Sequence, residues 1–362
     1  MKKFISPARL RELGILGMNA RNFAVIGKYN DRSRYPLVDD KLKTKLLAKQ
    51  FGLATPALLG VIRHQHAIKH VAGLLDGLPG FAIKPANGSG GKGILVVTGH
   101  DGPDFIKSSG ATISLQDTQR HLSNILAGLY SLGGQPDVVI IEELIAFDER
   151  FAGLSHQGVP DIRIIVFHGY PVMAMLRLAT RDSDGKANLH QGAIGVGLDI
   201  ATGRPLNAVQ YNKRVYRHPD TGAALDSIVL DNWEDMLLLA SRCHEMTGLC
   251  YLGVDLVLDR DKGALILELN ARPGLSIQVA NGLGLAPRIR KVEALLAASR
   301  TTLPGYYRVL EDHPPHRSPA ERVVYSVQEF AEPPLDARRV SGPGSGTTPV
   351  SLPPIQDSAQ LP

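Results

Sequence analysis

One segment of sixteen residues, 255–270, constrains the fold of this chain more than any other part of the sequence. Two runs of alternating apolar and polar residues flank a turn-like stretch at 260–263, which is the pattern of a β-hairpin. Pairing the runs about that turn sets Asp255 opposite Glu268, with Asn270 two residues along on the same face. The other face is then wholly apolar, formed by Val254, Leu256, Leu258, Leu265, Leu267 and Leu269.

The polar face of this acidic hairpin predicts a metal site. Two carboxylates placed directly opposite one another repel, so the pair of Asp255 and Glu268 needs a compensating cation. Three oxygen-bearing side chains, with Asn270 as the third, suit one or two Mg²⁺ ions, with Mn²⁺ as a substitute. The alternative is an ordinary amphipathic hairpin with a solvated acidic face.

Composition narrows the class of protein. The 362 residues suffice for one large domain or two modest ones, and 44% hydrophobic with 21% charged residues is typical of soluble proteins. The net charge of +5 comes without a dense basic stripe interleaved with aromatic residues, so no nucleic-acid partner is predicted. Only Cys243 and Cys250 occur, which argues against a disulfide framework or a cysteine-based zinc site. No stretch of about 18 apolar residues exists, so we predict no membrane partner and a cytoplasmic protein.

A glycine-rich loop at 88–93 carries the spacing G-x-G-x-x-G. A dinucleotide-binding fingerprint would need a helix directly after the third glycine, but the β-branched run at 94–97 predicts a strand. A Walker A loop is excluded because no Gly-Lys-Ser/Thr ends the motif. The remaining interpretation is a strand, a flexible loop and a second strand, in which Lys84 and Lys92 supply positive charge. Such a loop can close over phosphate groups; a plain glycine-rich turn is the alternative.

The remaining chain alternates helix-like and strand-like segments. Apolar spacing predicts helices at 39–51, 233–247 and 285–300, and strands at 81–84, 94–97, 138–141, 161–167 and 172–178. Glycine and aspartate punctuate 195–231, which predicts an insertion of hairpins. From 312 to 362 proline, serine, glycine and arginine dominate, so a disordered tail is predicted there.

The order of these motifs along the chain resembles that of the ATP-grasp ligases. Within that superfamily it resembles the glutamate-ligase (RimK-like) branch, and most of all the α-L-glutamate ligase-related proteins. The resemblance covers about 37–295. Four stretches carry it. The first is Asp40-Lys41 together with 52–56, and the second is Lys84-Pro85 together with the glycine loop. The third is 139–145, and the fourth is 161–163 together with 188–192 and the acidic hairpin. It implies an α+β fold of two α/β lobes, 37–142 and 143–300, whose antiparallel sheets clasp a nucleotide. The N-terminal domain is reduced to 1–36, which with 195–231 is expected to contact substrate.

The resemblance also implies an activity. The expected reaction is ATP- and Mg²⁺-dependent ligation of a carboxylate to an amine through an acylphosphate, with glutamate or a related amino acid. The partners would be that amino acid and a carboxylate-bearing acceptor, in an enzyme that can form homo-oligomers. A phosphotransferase on the same fold, or a catalytically weak nucleotide-binding regulator, are the alternatives.

The resemblance assigns roles to residues of this chain. Those expected at the nucleotide are Lys41, Lys84, Gly88, Ser89, Gly90, Gly91, Lys92, Gly93, Glu142, Glu143, Leu144 and Asp161. Those expected at the reacting groups are Arg272, Lys186 and Asn188. Substrate contacts are expected from Arg163, Arg177 and His190, and, as a hypothesis from the reduced N-terminal part and the basic insertion, from Arg32 and Arg214.

Overall fold

The computed structural model describes residues 5–88, 90–147, 151, 153–156, 158–301 and 317–332. Short helical pieces come first. They are α1 (Pro7–Glu12), α2 (Met18–Ala20), a π-helical turn at Arg21–Ile26, α3 (Gly27–Tyr29) and α4 (Pro36–Asp39). The first longer helix, α5 (Lys41–Gln50), begins where the side chain of Asp40 accepts hydrogen bonds from the backbone N–H groups of Leu42 and Lys43. It confirms the helix predicted at 39–51.

The first antiparallel sheet holds the glycine loop. Its strands are β1 (Leu58–Ile62), β2 (Phe81–Pro85), β3 (Leu95–Asp101), β4 (Asp104–Lys107), β5 (Thr112–Ile113) and β6 (Val139–Glu143). Among the described residues their order is β1-β6-β2-β3-β4-β5. The helices α6 (Val71–Leu75) and α7 (Leu115–Leu126) lie in the connections, and Leu75, Leu122 and Ile125 join the apolar core of this sheet. The predicted strand, loop and strand around the glycine loop are therefore confirmed.

The second antiparallel sheet holds the acidic hairpin. Its strands are β7 (Asp161–Phe167), β8 (Tyr170–Leu178), β9 (Ile194–Leu198), β10 (Pro205–Gln210), β11 (Lys213–Arg214), β12 (Tyr251–Asp259) and β13 (Gly263–Asn270). In the described chain their order is β11-β10-β9-β8-β7-β12-β13. The helices are α8 (Trp233–Thr247), α9 (Ile277–Asn281), α10 (Ala286–Thr301) and α11 (Pro319–Glu329). The predicted insertion forms the β9–β10 and β10–β11 hairpins at one edge.

The acidic hairpin has the predicted pairing only at the end that carries Asp255 and Glu268. Asp255 pairs with Glu268 and Val254 with Leu269, as expected. A bulge at Leu267 then shifts the register, so that Leu256 opposes Ile266. The predicted pairings of Leu256 with Leu267 and of Leu258 with Leu265 are wrong for that reason. The opposed carboxylates lie before the bulge and are unaffected.

The prediction of a disordered tail is wrong for Pro319–Glu329, which forms α11. Ser318 and Glu321 cap its start reciprocally, and the helix packs against α8 and β8. Val323 and Phe330 are buried in the main core, so a short amphipathic helix lies inside a segment of disorder-like composition. The rest of the predicted tail, 312–316 and 333–362, lies outside the described residues.

The last strand of the first sheet along the chain, β6, ends at Glu143, and the first strand of the second sheet, β7, begins at Asp161. The exact boundaries of the lobes stay a prediction. Within the described residues, no helix is long and apolar enough to cross a membrane.

Candidate active site

A row of charged side chains crosses four neighbouring strands of the second sheet. Arg177 on β8 pairs with Asp161 on β7, and Arg163 on β7 pairs with Asp255 on β12. Asp255 in turn pairs with Glu268 on β13. Directly paired residues of adjacent strands point to the same face, and Asp161 and Arg163 are two apart on one strand. These five residues therefore form one charged row on a single face.

Asp255 is the centre of this row. Arg163 donates from Nε and Nη2 to the two carboxylate oxygens of Asp255 at 2.6 and 2.5 Å, and Arg177 donates from Nη2 at 2.8 Å. Asn270 donates from Nδ2 to the same carboxylate at 3.2 Å. Arg177 also bonds Asp161 through Nε. With Asp255 only 1% exposed, two arginines supply the positive charge that the opposed carboxylates need.

The two buried aspartates of the row respond differently to their surroundings. Burial works to raise the pKa of Asp255, but Arg163 and Arg177 outweigh it and lower that pKa to about 2. Burial raises the pKa of Asp161 to about 6, because its one arginine is shared and the charge of Asp255 lies nearby. Asp255 therefore stays ionised, and Asp161 is the first of the pair to take a proton as the pH falls.

A lysine cluster lies in the first sheet and in α5. Lys84 donates to Glu142 Oε2 at 2.6 Å, and Lys45 Nζ lies 3.1 Å from Glu142 Oε1. Lys45 also donates to the carbonyl of Pro56. All three charged side chains are buried. Burial lowers the pKa of Lys45; it also works to raise that of Glu142, but the two lysines outweigh it and lower the pKa of Glu142. The cluster thus carries one buried positive charge in excess, which suits a phosphate-bearing ligand.

Lys45 was missed by the sequence analysis. The available signal was its spacing from Lys41, because residues four apart on a helix lie on the same face. Both lysines project from α5, the helix that also buries Leu42 and Ala48.

Lys41 joins the two sheets. Its Nζ donates to the carbonyl oxygen of Gly88 at 2.7 Å and lies 3.1 Å from Glu268 Oε1. Its backbone N–H donates to the carbonyl of Ala86 at 2.9 Å. One ammonium group therefore contacts both the glycine loop and the acidic hairpin.

The glycine loop needs its glycines for two different reasons. Gly90, Gly91 and Gly93 have φ of +64°, +74° and +75°, a region that side chains disfavour. Gly93 also lies against the ring of Tyr130, 2.5 Å from where a Cβ would be. Ser89 lies outside the described residues, and Lys92 is exposed.

We expect Gly93→Ala to destabilise the protein more than Gly90→Ala. Both changes place a side chain at positive φ, which costs about 1–2 kcal/mol. Only at Gly93 must the ring of Tyr130 also move, since nothing lies within 4 Å of a Cβ at Gly90. Urea unfolding of both variants measures the difference, and equal midpoints would contradict the assigned packing.

The residues at and just after the end of β6, expected at the nucleotide, contact the acidic hairpin. Glu143 accepts from the backbone N–H of Ala57 at 2.7 Å and pairs with Lys262 in the hairpin turn. The N–H of Ala146 donates to Asp259 Oδ2 at 2.8 Å. Leu144 packs beside Gly80. The nucleotide roles of Glu143 and Leu144 stay predictions.

Two residues expected at the reacting groups lie at the surface. Arg272 is 59% exposed, stacks on Tyr35 with 5.2 Å to the ring centroid, and has Nη2 3.6 Å from Asp39. Lys186 pairs with Asp184 at 3.1 Å. Neither has a recorded hydrogen bond or ion pair to the charged row among the described residues, and their catalytic roles stay predictions.

The other expected contacts are likewise apart from the charged row. Asn188 caps a short 3₁₀ turn by accepting from the N–H of His190 at 3.0 Å. Arg32 is exposed, and Arg214 stacks on Tyr216 in β11, the edge of the sheet opposite β13. His218, in the same insertion as Arg214, is 1% exposed, and its Nε2 lies 3.0 Å from the carbonyl of Ala179.

Of the three predicted metal ligands, Glu268 and Asn270 keep an oxygen atom for a divalent cation, whereas both oxygens of Asp255 already accept from Arg163. Asp255, Glu268 and Asn270 share a face of two paired strands, and in the described chain the side-chain oxygen of Asn270 accepts no recorded hydrogen bond. Glu268 has one recorded partner, Lys41. Among the described residues, no group of three or more histidine, cysteine or acidic side chains could by itself hold a metal ion. Phosphate or water oxygens would therefore have to complete the coordination.

Comparison with known proteins identifies the family. Residues 20–294 match the family described as sugar-transfer associated ATP-grasp, and the chain belongs to that family. A probable alpha-L-glutamate ligase of Aeromonas salmonicida (strain A449) is 24% identical over 304 residues, covering 83% of this chain and 76% of the relative. Another from Enterobacter sp. (strain 638) is 23% identical over 291 residues, covering 79% and 73%.

Two solved structures are similar to this chain over part of their length. D-alanyl-alanine synthetase A from Vibrio cholerae O1 biovar eltor is 11% identical, with a TM-score of 0.43, covering 83% of this chain and 67% of that one. The ATP-grasp ligase PsnB complexed with minimal precursor is 14% identical, with a TM-score of 0.40. The match covers 74% of this chain and 62% of PsnB. The predicted family and the α+β fold with two antiparallel sheets are confirmed, and the relatives support the class of ATP-dependent carboxylate–amine ligases.

Proposed function

We propose that this protein is an ATP- and Mg²⁺-dependent carboxylate–amine ligase that uses glutamate or a related amino acid. The γ-phosphoryl group of ATP passes to a substrate carboxylate and gives an acylphosphate and ADP. The amine then attacks the acyl carbon, loses a proton and expels phosphate, which leaves an amide. The names of the curated relatives, probable alpha-L-glutamate ligases, support the amino-acid class.

The contact of Lys41 with both Gly88 and Glu268 carries this proposal. Phosphoryl transfer depends on positioning and on neutralising charge rather than on a protein nucleophile. The 2.7 and 3.1 Å contacts of Lys41 bring the phosphate-type loop of one sheet to the carboxylates of the other. A plain glycine turn and a plain acidic hairpin would have no reason to meet at one half-buried cation.

The other charged residues would have separate roles in the site. The excess charge of the lysine cluster would hold the phosphates of ATP, with Lys84 and Lys45 fixed through Glu142. Asp255, Glu268 and Asn270 would hold Mg²⁺, which neutralises phosphate charge when bound. Arg163 and Arg177 direct their forked donors to Asp255 and Asp161, so they would position these carboxylates in the site. Arg272 would stabilise the negative charge that develops on the acyl group.

The test is product analysis with ATP, Mg²⁺ and a panel of amino acids and carboxylic acids. We expect phosphate release that depends on an amine, together with a product whose mass equals acid plus amine minus water. Phosphate retained on an acceptor would replace the ligase by a phosphotransferase. ATP binding without turnover on any amino acid, peptide or carboxylate in the panel would favour a regulatory nucleotide-binding protein.

A matched pair of lysine variants connects that activity to the site. Lys41→Met should reduce phosphate release by about a hundredfold, since it removes the cation that contacts loop and hairpin. Lys291→Met removes a surface ion pair with Glu329 and should leave the rate unchanged. Equal rates in the two variants would contradict the role of Lys41.

A further inference from the structure

The N-terminal part of the chain exposes apolar side chains in an unusual concentration. Ile5, Leu10, Leu13, Met18 and Phe23 are 50%, 37%, 47%, 64% and 87% exposed. Neither α1 nor α2 buries a single residue. Scattered exposed apolar residues are normal, but a group within nineteen positions of the sequence indicates a surface that meets a partner.

This part of the chain is held to the rest of the protein at Gly14, Leu16 and Arg21, whose side chain donates to the carbonyl of Pro273 at 2.8 Å. The backbone N–H and carbonyl of Leu16 both bond the side chain of Gln278, at 2.8 and 3.1 Å. The carbonyl of Gly14 accepts from Ala286 at 3.1 Å. A six-residue helix has little stability of its own in water, so α1 gains its order from these anchors and from whatever covers its exposed side.

The charge of this region indicates what the partner is. Residues 5–23, which expose the apolar side chains, contain three arginines and one acidic residue, a net charge of +2, and residues 24–36 add a further +2. All other residues together carry +1 of the total of +5, so most of the net positive charge lies in 5–36. On α1, Leu10 and Leu13 lie three apart on one side. Arg9 lies beside them and forms a surface ion pair with Glu12 at 2.9 Å, and Arg11 donates from Nε to the carbonyl of Pro7 at 3.4 Å.

We propose that residues 5–23 dock on an anionic lipid membrane surface. Leu10, Leu13, Met18 and Phe23 enter the boundary between headgroups and acyl chains, while Arg9 and Arg11 contact the phosphates. A second copy of the chain is a poorer partner, because its remaining surface carries almost no net charge to complement this region. The docking is peripheral and requires no spanning helix. It revises the expectation, drawn from the sequence, that the protein has no membrane partner.

The test is co-sedimentation of the full chain with vesicles. We expect binding to phosphatidylcholine vesicles containing phosphatidylglycerol, weak binding to phosphatidylcholine alone, and a loss of binding at high salt. The double variant L10S/L13S and the charge reversal R9E/R11E should each weaken binding at least tenfold. As a matched control, Y216S/V229S changes two side chains that are 67% and 71% exposed elsewhere and should bind like wild type.

Three results would overturn the proposal. One is wild-type protein that stays in the supernatant with anionic vesicles at low salt. The second is binding that the L10S/L13S and R9E/R11E variants retain in full. The third is a dimer, detected by light scattering without lipid, that L10S/L13S dissociates, because the apolar surface would then cover a second copy. Circular dichroism of each variant confirms that a loss of binding is not a loss of fold.

Discussion

Replacing Glu142 with glutamine is expected to lower the free energy of unfolding by about 3–5 kcal/mol. Glu142 is 4% exposed, and its two oxygens serve Lys84 and Lys45. Without its charge, two ammonium groups remain buried next to each other with no carboxylate between them. Urea denaturation measures the loss.

The neighbouring residue supplies the control. Glu143 pairs with the exposed Lys262, and such a pair contributes about 0–1 kcal/mol. Because glutamine can still accept from the N–H of Ala57, Glu143→Gln should change stability far less than Glu142→Gln. Adding Lys84→Met to Glu142→Gln should recover part of the loss, because it removes one of the two repelling charges. Equal unfolding of Glu142→Gln and Glu143→Gln would show that the lysine cluster is not a buried ion network.

Replacing Glu268 with glutamine is expected to lower phosphate release by about a hundredfold or more while changing stability by less than about 1 kcal/mol. Its side chain is 36% exposed and its recorded ion pair is with Lys41, so the fold depends on it little. Binding of Mn²⁺, followed by electron paramagnetic resonance, should weaken in parallel. Unchanged Mn²⁺ affinity would remove Glu268 from the metal site.

Asp255 is a less informative target than Glu268 for testing the metal site. It compensates Arg163 and Arg177 in a buried place, so Asp255→Asn should cost about 3–5 kcal/mol in addition to any loss of activity. Glu293→Gln removes an ion pair with Lys28 but keeps an acceptor for the O–H of Tyr29. It is a suitable control for Glu268→Gln and should retain both activity and stability.

The acidic hairpin shows what the sequence could predict. Two alternating runs around a short turn defined both strands, and the pairing of Asp255 with Glu268 followed from their spacing alone. The helix Trp233–Thr247 was predicted to the residue, because its apolar spacing ends at Gly248, whose φ is +66°. The bulge at Leu267 was not predictable, since it depends on packing that the spacing does not encode.

Contacts distant along the chain could not be predicted. Arg163 was recognised only as an anion-binding candidate, yet it holds Asp255, 92 positions away. That partner depends on β7 and β12 being adjacent in the sheet. Similarly, composition hid α11, because only packing on α8 and β8 makes its few apolar residues sufficient for a helix.

Transfer of ¹⁸O from a labelled carboxylate to phosphate tests the central claim most directly. The acid identified by product analysis would be labelled with ¹⁸O in its carboxylate and incubated with ATP, Mg²⁺ and the amine. A ligase that forms an acylphosphate must deliver one ¹⁸O atom to each phosphate released, because the carboxylate oxygen that accepts the phosphoryl group leaves with it. Released phosphate without ¹⁸O would contradict this account, since ATP would then be hydrolysed without activating the acid.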